Sequence, residues 1–370
     1  LDGIEPAQAN VTLMVDQSTG AARVSANVDR VRARDLAVMA PPLAWLKFVQ
    51  APISGALQGG IDAEGGLSDL TAQLSLVEGS LAPGEGANPV PFDRAALALR
   101  YDPKAARIHM TGLTVESPTL RLKATGRGDL LSAARLPILP DELPETILGQ
   151  VAFSEVMIDP EGLFAEPVQF SQGALDLRLR LDPFRLEIGQ LALVEAGERL
   201  LLKGDVTATP AGWKGGLDVS LDRIDSDRLL KIWPLSAVPK TRKWFAENVG
   251  AATLSNVRAG LRLTPGAGPR FSLGYEFSEA EVRLVRTLPP VLDARGHSTL
   301  ENLTYTVKLD RGHVLPPEGG RIEADGSVFQ IADITQREAL AKIDLLTSSQ
   351  LTATLSLLDQ TPFSFFSKAG

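Results

Sequence analysis

The chain has 370 residues, 37 basic and 45 acidic side chains and a net charge of −8, with 44% hydrophobic and 22% charged residues. That balance is the balance of a folded chain and excludes wholesale disorder, and the acidic surplus argues against a dedicated nucleic-acid binder. Zero cysteines and three histidines leave no disulfide framework, no thiolate chemistry and little material for a His-built metal site; cysteine-free composition fits an oxidising compartment.

In chain order, the first feature is a break at residues 35–52 containing Pro41-Pro42-Leu43-Ala44-Trp45-Leu46-Lys47-Phe48-Val49. Strands are predicted at residues 96–101 and 119–124, where apolar and polar residues alternate. A second break, 129–148, carries Pro137, Pro140 and Pro144. The clearest alternation follows, Leu175-Asp176-Leu177-Arg178-Leu179-Arg180-Leu181-Asp182, and strands continue at 184–188, 200–207 and Leu217-Asp218-Val219-Ser220-Leu221-Asp222. The third break, 227–250, has helix signals: proline at the first turn, apolar Trp244, Phe245 and Val249, and a glycine just past the end. Strands resume at 259–263 (with Leu261 and Leu263), 271–277, Val282-Arg283-Leu284 and 303–309, and alternation at 351–357 predicts a last one. Asp-Pro, Thr-Pro and Pro-Gly turns separate them. No apolar run is long enough for a membrane-spanning helix.

The fold class expected is therefore mostly β, an elongated, curved antiparallel sheet of repeated hairpins with short helical corners. Asp35, Asp129 and Asp227 open the three breaks about 95 residues apart, and Asp35…Pro42-Leu43 overlays Asp227…Pro234-Leu235 without gaps, a weak internal repeat. The segments expected are 1–128, 129–226, the corner 227–250, and 251–370. The ends, Leu1-Asp2-Gly3 and the stretch after Phe363-Ser364-Phe365-Phe366, suggest a piece of a longer protein.

Two readings fit the apolar face. It closes as the core of a sandwich, or it lines an open groove for a long apolar ligand. Inward residues are mostly Leu and Val and aromatics are only 5%, which leaves few of the aromatic anchors of sandwich cores and favours the groove. Groove-lining candidates are Leu175, Leu177, Leu179, Leu181, Leu217, Val219, Leu221, Leu261, Leu263, Val282 and Leu284. Catalytic signatures are absent: there is no His-Glu-x-x-His, Gly-x-Ser-x-Gly, P-loop or dinucleotide fingerprint, and His109, His297 and His313 stand apart. No enzyme, cofactor or metal site is expected.

The string Leu229-Leu230-Lys231-Ile232-Trp233-Pro234-Leu235, followed by Val238-Pro239-Lys240-Thr241-Arg242-Lys243-Trp244-Phe245-Ala246-Glu247-Asn248-Val249, resembles the AsmA-like envelope proteins, nearest to their large YhdP-type branch. Ala280-Glu281-Val282-Arg283-Leu284-Val285-Arg286-Thr287-Leu288-Pro289-Pro290-Val291 is similar to the strand and Leu-Pro-Pro turn those proteins place next, and Leu357-Leu358-Asp359-Gln360-Thr361-Pro362-Phe363 to a later segment. The matching motif residues are Trp233, Pro234, Leu235, Pro239, Lys240, Arg242, Trp244 and Asn248. Upstream of about residue 200 the likeness is one of texture.

The resemblance implies a periplasmic segment of an inner-membrane-anchored protein of Gram-negative bacteria. It implies repeating β-groove units, related to TamB and to bridge-like lipid transfer proteins, and a role in moving phospholipid between inner and outer membranes in outer-membrane biogenesis. Its motif has no established chemistry. Trp233, Pro234, Leu235 and Trp244 read as corner packing or, alternatively, as a gate at the groove mouth. Lys240, Arg242 and Lys243 read as a solvated basic face or as a phosphate contact for a lipid headgroup. The competing functions are a structural or assembly module of the cell envelope with a closed core and no ligand, and a carbohydrate-binding β protein, for which the four Trp and three Tyr offer few platforms.

Overall fold

The computed structural model describes residues 7–83, 88–139, 142–159, 164–233, 235, 239–336 and 340–365. The chain forms one continuous antiparallel sheet that does not close on itself. The N-terminal strands are β1 (Gln8–Val15), β2 (Ala22–Arg32), the short β3 (Val49–Gln50), β4 (Pro52–Ile61), β5 (Leu67–Leu81), β6 (Val90–Asp102), β7 (Arg107–Glu116) and β8 (Leu120–Leu131). The middle holds β9 (Thr146–Ile158), the short β10 (Val168–Phe170), β11 (Gln172–Leu181), β12 (Phe184–Glu195), β13 (Glu198–Thr209) and β14 (Gly212–Asp225). Then come β15 (Thr253–Leu263), β16 (Arg270–Val282), β17 (Val291–Glu301), β18 (Thr304–Val314) and the short β19 (Ile322–Glu323), β20 (Val328–Ile331) and β21 (Ala341–Asp344). Each long strand pairs with the next in sequence. The ladder runs unbroken across the expected segment boundaries, through the β8–β9 and β14–β15 pairings.

Paired residues share a face, so the register tests the alternation strand by strand. One row runs Val11, Ala26, Leu57, Ala72, Leu99, Met110, Gly126, Val151, Leu175, Leu191, Leu202, Val219, Ala259, Leu273, Leu300, Tyr305, Ile331, Ala341. It crosses the sheet from β1 to β21 without a charged residue, a path of about 80 Å at strand spacing. The adjacent row, on the other face, reads Gln58, Thr71, Arg100, His109, Arg127, Gln150, Asp176, Gln190. Period-two sequence thus becomes one apolar and one polar face along the molecule.

The sheet curls around its apolar face. The Phe48 carbonyl accepts from Ala82 N–H at 2.7 Å, just past the end of β5, while the Phe48 ring meets Phe184, the first residue of β12, edge-on at 5.1 Å. Along the sheet those strands lie six ladder steps apart, about 29 Å. Phe184 also stands in the part of the ladder that leads back toward Leu70, the far end of β5. A twist of about 20–25° per strand accumulates to roughly 120–150° over six steps and brings the opposite end of β12 back over β5.

Three corners interrupt the meander, after β2, β8 and β14, with five long strands between successive corners. The first is helix α1 (Ala33–Ala37) followed by a 3-10 helix, Pro41–Phe48. Proline at the first helical position suits the missing N–H, and Ala40 before it is extended as proline demands. The third corner is α2 (Ser226–Ile232) and α3 (Pro239–Asn248), the latter where the sequence places a helix.

The first and third corners are built alike. In one, Val31 pairs with Ile53 and Ala33 N–H bonds the Ala51 carbonyl; in the other, Ile224 pairs with Leu254 and Ser226 N–H bonds the Ala252 carbonyl. The second corner, between β8 and β9, has no helix among its described residues. It is held by a bridge between Leu131 and Pro137 and by Ile138 packing into the core. Pro140 and Asp141 lie outside the described residues.

Two expectations need correction. Residues 351–357 form a helix, α4 (Leu351–Leu358), rather than a strand. The Leu-Thr-Ala-Thr-Leu alternation also places Leu351, Leu355 and Leu358 at helical spacing, and the helix wins because buried Ala353 seats against Gly319, where any side chain would collide with the Ala353 backbone. Leu284 lies beyond the end of β16, in an exposed connection, so it does not belong to the apolar face. The Arg283 N–H is drawn to the Asn248 carbonyl, which turns the chain off the sheet. The structure also adds β1, β2, β4 and β5 ahead of residue 96, where no strand is predicted.

Candidate functional site

The apolar face is covered in two places. The first corner sits on β4–β8: Leu36, Leu43 and Leu46 pack with Ile53, Leu74, Leu99, Tyr101 and Leu130, and Leu43 and Leu46 have no exposed surface at all. Its far side reaches β11 and β12, where Ala44 and Phe48 bury Leu181. The third corner sits on β13–β18: Leu229 and Ile232 of α2 and Phe245 of α3 pack over Leu221, Ile224, Leu254, Val257, Ala280 and Ala294.

Between these covers the apolar face of β11–β15 is open. Leu175, Leu177, Leu179, Leu217, Val219, Leu261 and Leu263 are all half-buried, as are Leu186, Ile188, Leu191, Leu202 and Val206 on the strands between them. Of the expected lining residues, seven therefore lie in this stretch, Leu181 and Leu221 are buried under the flanking covers, and Val282 packs beneath the third corner. The β12–β13 members are not among the residues the sequence singles out, although apolar 184, 186 and 188 carry the same alternation. Trp213, equally unmarked in the sequence, extends an aromatic row Phe48–Phe184–Trp213, with centroids 5.1 and 6.2 Å apart, along one end of the trough.

The trough floor has close-packed backbone. A side chain at Gly204 would collide with the Gly216 carbonyl, and one at Gly149 would come within 3.0 Å of the Leu177 side chain. Along the trough the charged side chains pair across the other face: Arg178 with Glu187 at 3.1 Å, Arg185 with Glu187 at 3.3 Å and Asp205 at 3.4 Å, and Arg262 with Asp218 at 2.6 Å. Such exposed pairs contribute little to stability and act mainly to keep that face wet.

The corner motif divides into an inner and an outer part. Trp233 and Phe245 pack at 5.8 Å. Arg242 turns inward, donating to the carbonyls of Leu230 at 2.8 Å and Trp233 at 3.3 Å, and so satisfies the open end of α2. Asn248 Nδ2 donates to the Trp244 carbonyl at 2.8 Å. Leu235 is half-buried, and Pro234 lies outside the described residues. Lys240 and Lys243 face solvent, as does Trp244 at 41% exposure, so the three expected headgroup cations do not form one cluster. Helix α2 is fastened to the β12–β13 hairpin by Arg228, which meets the Glu198 carboxylate at 2.5 Å and the Glu195 carbonyl at 2.9 Å. Burial, helped by the nearby Asp225 charge, holds the Glu198 pKa above its ordinary value although Arg228 pulls it down.

Chemistry-bearing groups do not converge on the trough. His109 is on the polar face, His297 lies 3.7 Å from Asp310, and buried His313 lies 3.8 Å from Asp293. Among the described residues no three His, Asp or Glu side chains form a metal-binding group, and no helix is long and apolar enough to cross a membrane. Comparisons with protein-family models, with curated proteins and with solved structures return no match.

Proposed function

We propose that the chain is a non-enzymatic lipid-binding segment whose open trough shelters the acyl chains of phospholipid. The observation that carries this reading is the half-buried Leu, Ile and Val surface of β11–β15, left uncovered between two stretches where corners cover the same face. Each buried methylene contributes about 0.8 kcal/mol, so a saturated chain of about 16 carbons supplies ample driving force without any specific polar contact. Headgroups would stay in water along the open side. The resemblance of the third corner to AsmA-like envelope proteins supports a wider setting: a periplasmic conduit between inner and outer membranes, within a longer inner-membrane-anchored protein.

The second reading, a structural module of the cell envelope with no ligand, is favoured by the fully covered core beneath the first corner. Native mass spectrometry of the chain purified from bacteria without detergent, with lipid extraction, separates the two. Stoichiometric phospholipid is expected. A clean apo mass with no extractable lipid overturns the lipid reading and leaves the structural module. Leu177→Asp or Val219→Asp should abolish loading, while Arg178→Glu, on the opposite face, should load as the native chain does.

A further inference from the structure

We propose that the outer face of the third corner is a docking surface for an anionic phospholipid bilayer. It is built by two segments that backbone bonds hold together. The Arg283 N–H donates to the Asn248 carbonyl at 2.8 Å, the Gly250 N–H to the Glu281 carbonyl at 2.9 Å, and Val249 bridges Val282. This joins the C-terminal end of α3 to the connection that leaves β16.

The pairing brings exposed apolar and cationic side chains to one place. Lys240, Trp244 and Asn248 stand at successive i, i+4 positions, so they form one stripe of α3, and that stripe ends at Arg283. Trp244 is 41% exposed, Leu284 53% and Val285 40%. Lys240, Lys243, Arg283 and Arg286 are exposed too. Among the described residues, Lys243 alone of these lies within 4 Å of a carboxylate, Glu247 at 3.8 Å. With Arg242 turned inward, residues 239–248 and 281–287 present four outward cations and two carboxylates, on a chain of net charge −8. A local basic excess on an acidic protein is not explained by solubility.

The combination fits a lipid surface better than a protein groove. Tryptophan sits stably at a headgroup boundary, with its ring in the apolar layer and its N–H in water. Leu284 and Val285 stand exposed on the connection that leaves β16, and the cations can meet the phosphates of an anionic surface. The patch is on the outside of the cover that flanks the trough, so docking would bring the third corner to the bilayer. It does not depend on the trough's carrying lipid.

The test is co-sedimentation of the whole chain with phosphatidylcholine vesicles and with vesicles containing phosphatidylglycerol. Binding is expected only to the second, weakening as salt rises. The double variant Lys240→Glu/Arg283→Glu should lose roughly tenfold or more in partitioning. Because the chain has no cysteine, Leu284→Cys can carry a single environment-sensitive dye, whose emission should shift to the blue with anionic vesicles. Circular dichroism of each variant establishes that it is folded. Absence of binding to phosphatidylglycerol vesicles, or equal binding by the folded double variant, overturns the proposal. So does stronger capture by soluble polyglutamate than by vesicles, which would assign the patch to an acidic protein partner. Leu177→Asp should leave vesicle binding intact, so failure of the trough reading and failure of this one are distinguishable.

Discussion

The first corner and the central trough share one sheet, one register and one alternation, yet they differ in what lies over the apolar face. Beneath the 3-10 helix, leucines reach complete burial; on β11–β15, leucines of the same kind remain half-exposed. Strand chemistry therefore does not decide whether this face is a core or a surface. A short segment inserted between two strands does, by placing Leu43 and Leu46 where the curl of the sheet brings several strands within its reach. The third corner covers its stretch more lightly, with no residue of α3 fully buried.

The sharpest way to break the comparison is a matched pair of truncations. Leu46→Ala removes a fully buried side chain and should cost about 2–5 kcal/mol. Leu177→Ala, half-exposed and already in water on one side, should cost about 1 kcal/mol or less. Urea denaturation of both variants measures this. Equal losses would mean the trough is as closed as the covered region.

Arg242→Ala should have an intermediate effect. It strips two carbonyls at the end of α2 of their donor, a loss of about 1–3 kcal/mol. Hydrogen exchange should quicken in α2 and α3 and stay unchanged in the 3-10 helix of the first corner. Faster exchange in both corners would show that the covers are coupled rather than independent.

The smallest effect concerns Glu198, whose folded-state pKa lies above its ordinary value of 4.5. A carboxyl raised in this way favours folding when protonated. Its contribution is present below pH 4.5 and is lost as pH rises through the higher folded value. Glu198→Gln should remove that loss while keeping an acceptor for Arg228, so the denaturation midpoint should depend less on pH just above 4.5. An unchanged pH dependence would show that Arg228 dominates the site.

Much of the fold is legible in the sequence because a sheet with one wet face must alternate. The runs at 175–182 and 217–222 lie on the strands they predict, and the Pro239 and Gly250 signals bracket α3. Pro52–Ile61 escapes notice because its three glycines blur the alternation, and pairing on both sides makes it a strand regardless. Residues 351–357 mislead because Leu-Thr-Ala-Thr-Leu satisfies both periods, and contacts distant in sequence, among them the seat at Gly319 and the Glu318 N–H bond to Ser356 Oγ, favour the helix. Arg242 reads as one cation among three, since nothing local says that it turns back to cap α2.

What the sequence determined by itself is the pair of faces: side-chain direction alternates with every residue, so composition along each strand fixes which side is apolar. What only the tertiary structure decided is which part of that face stays open. Coverage depends on the twist summed over many strands and on where a corner lands after that rotation, and neither quantity is carried by any short stretch of residues.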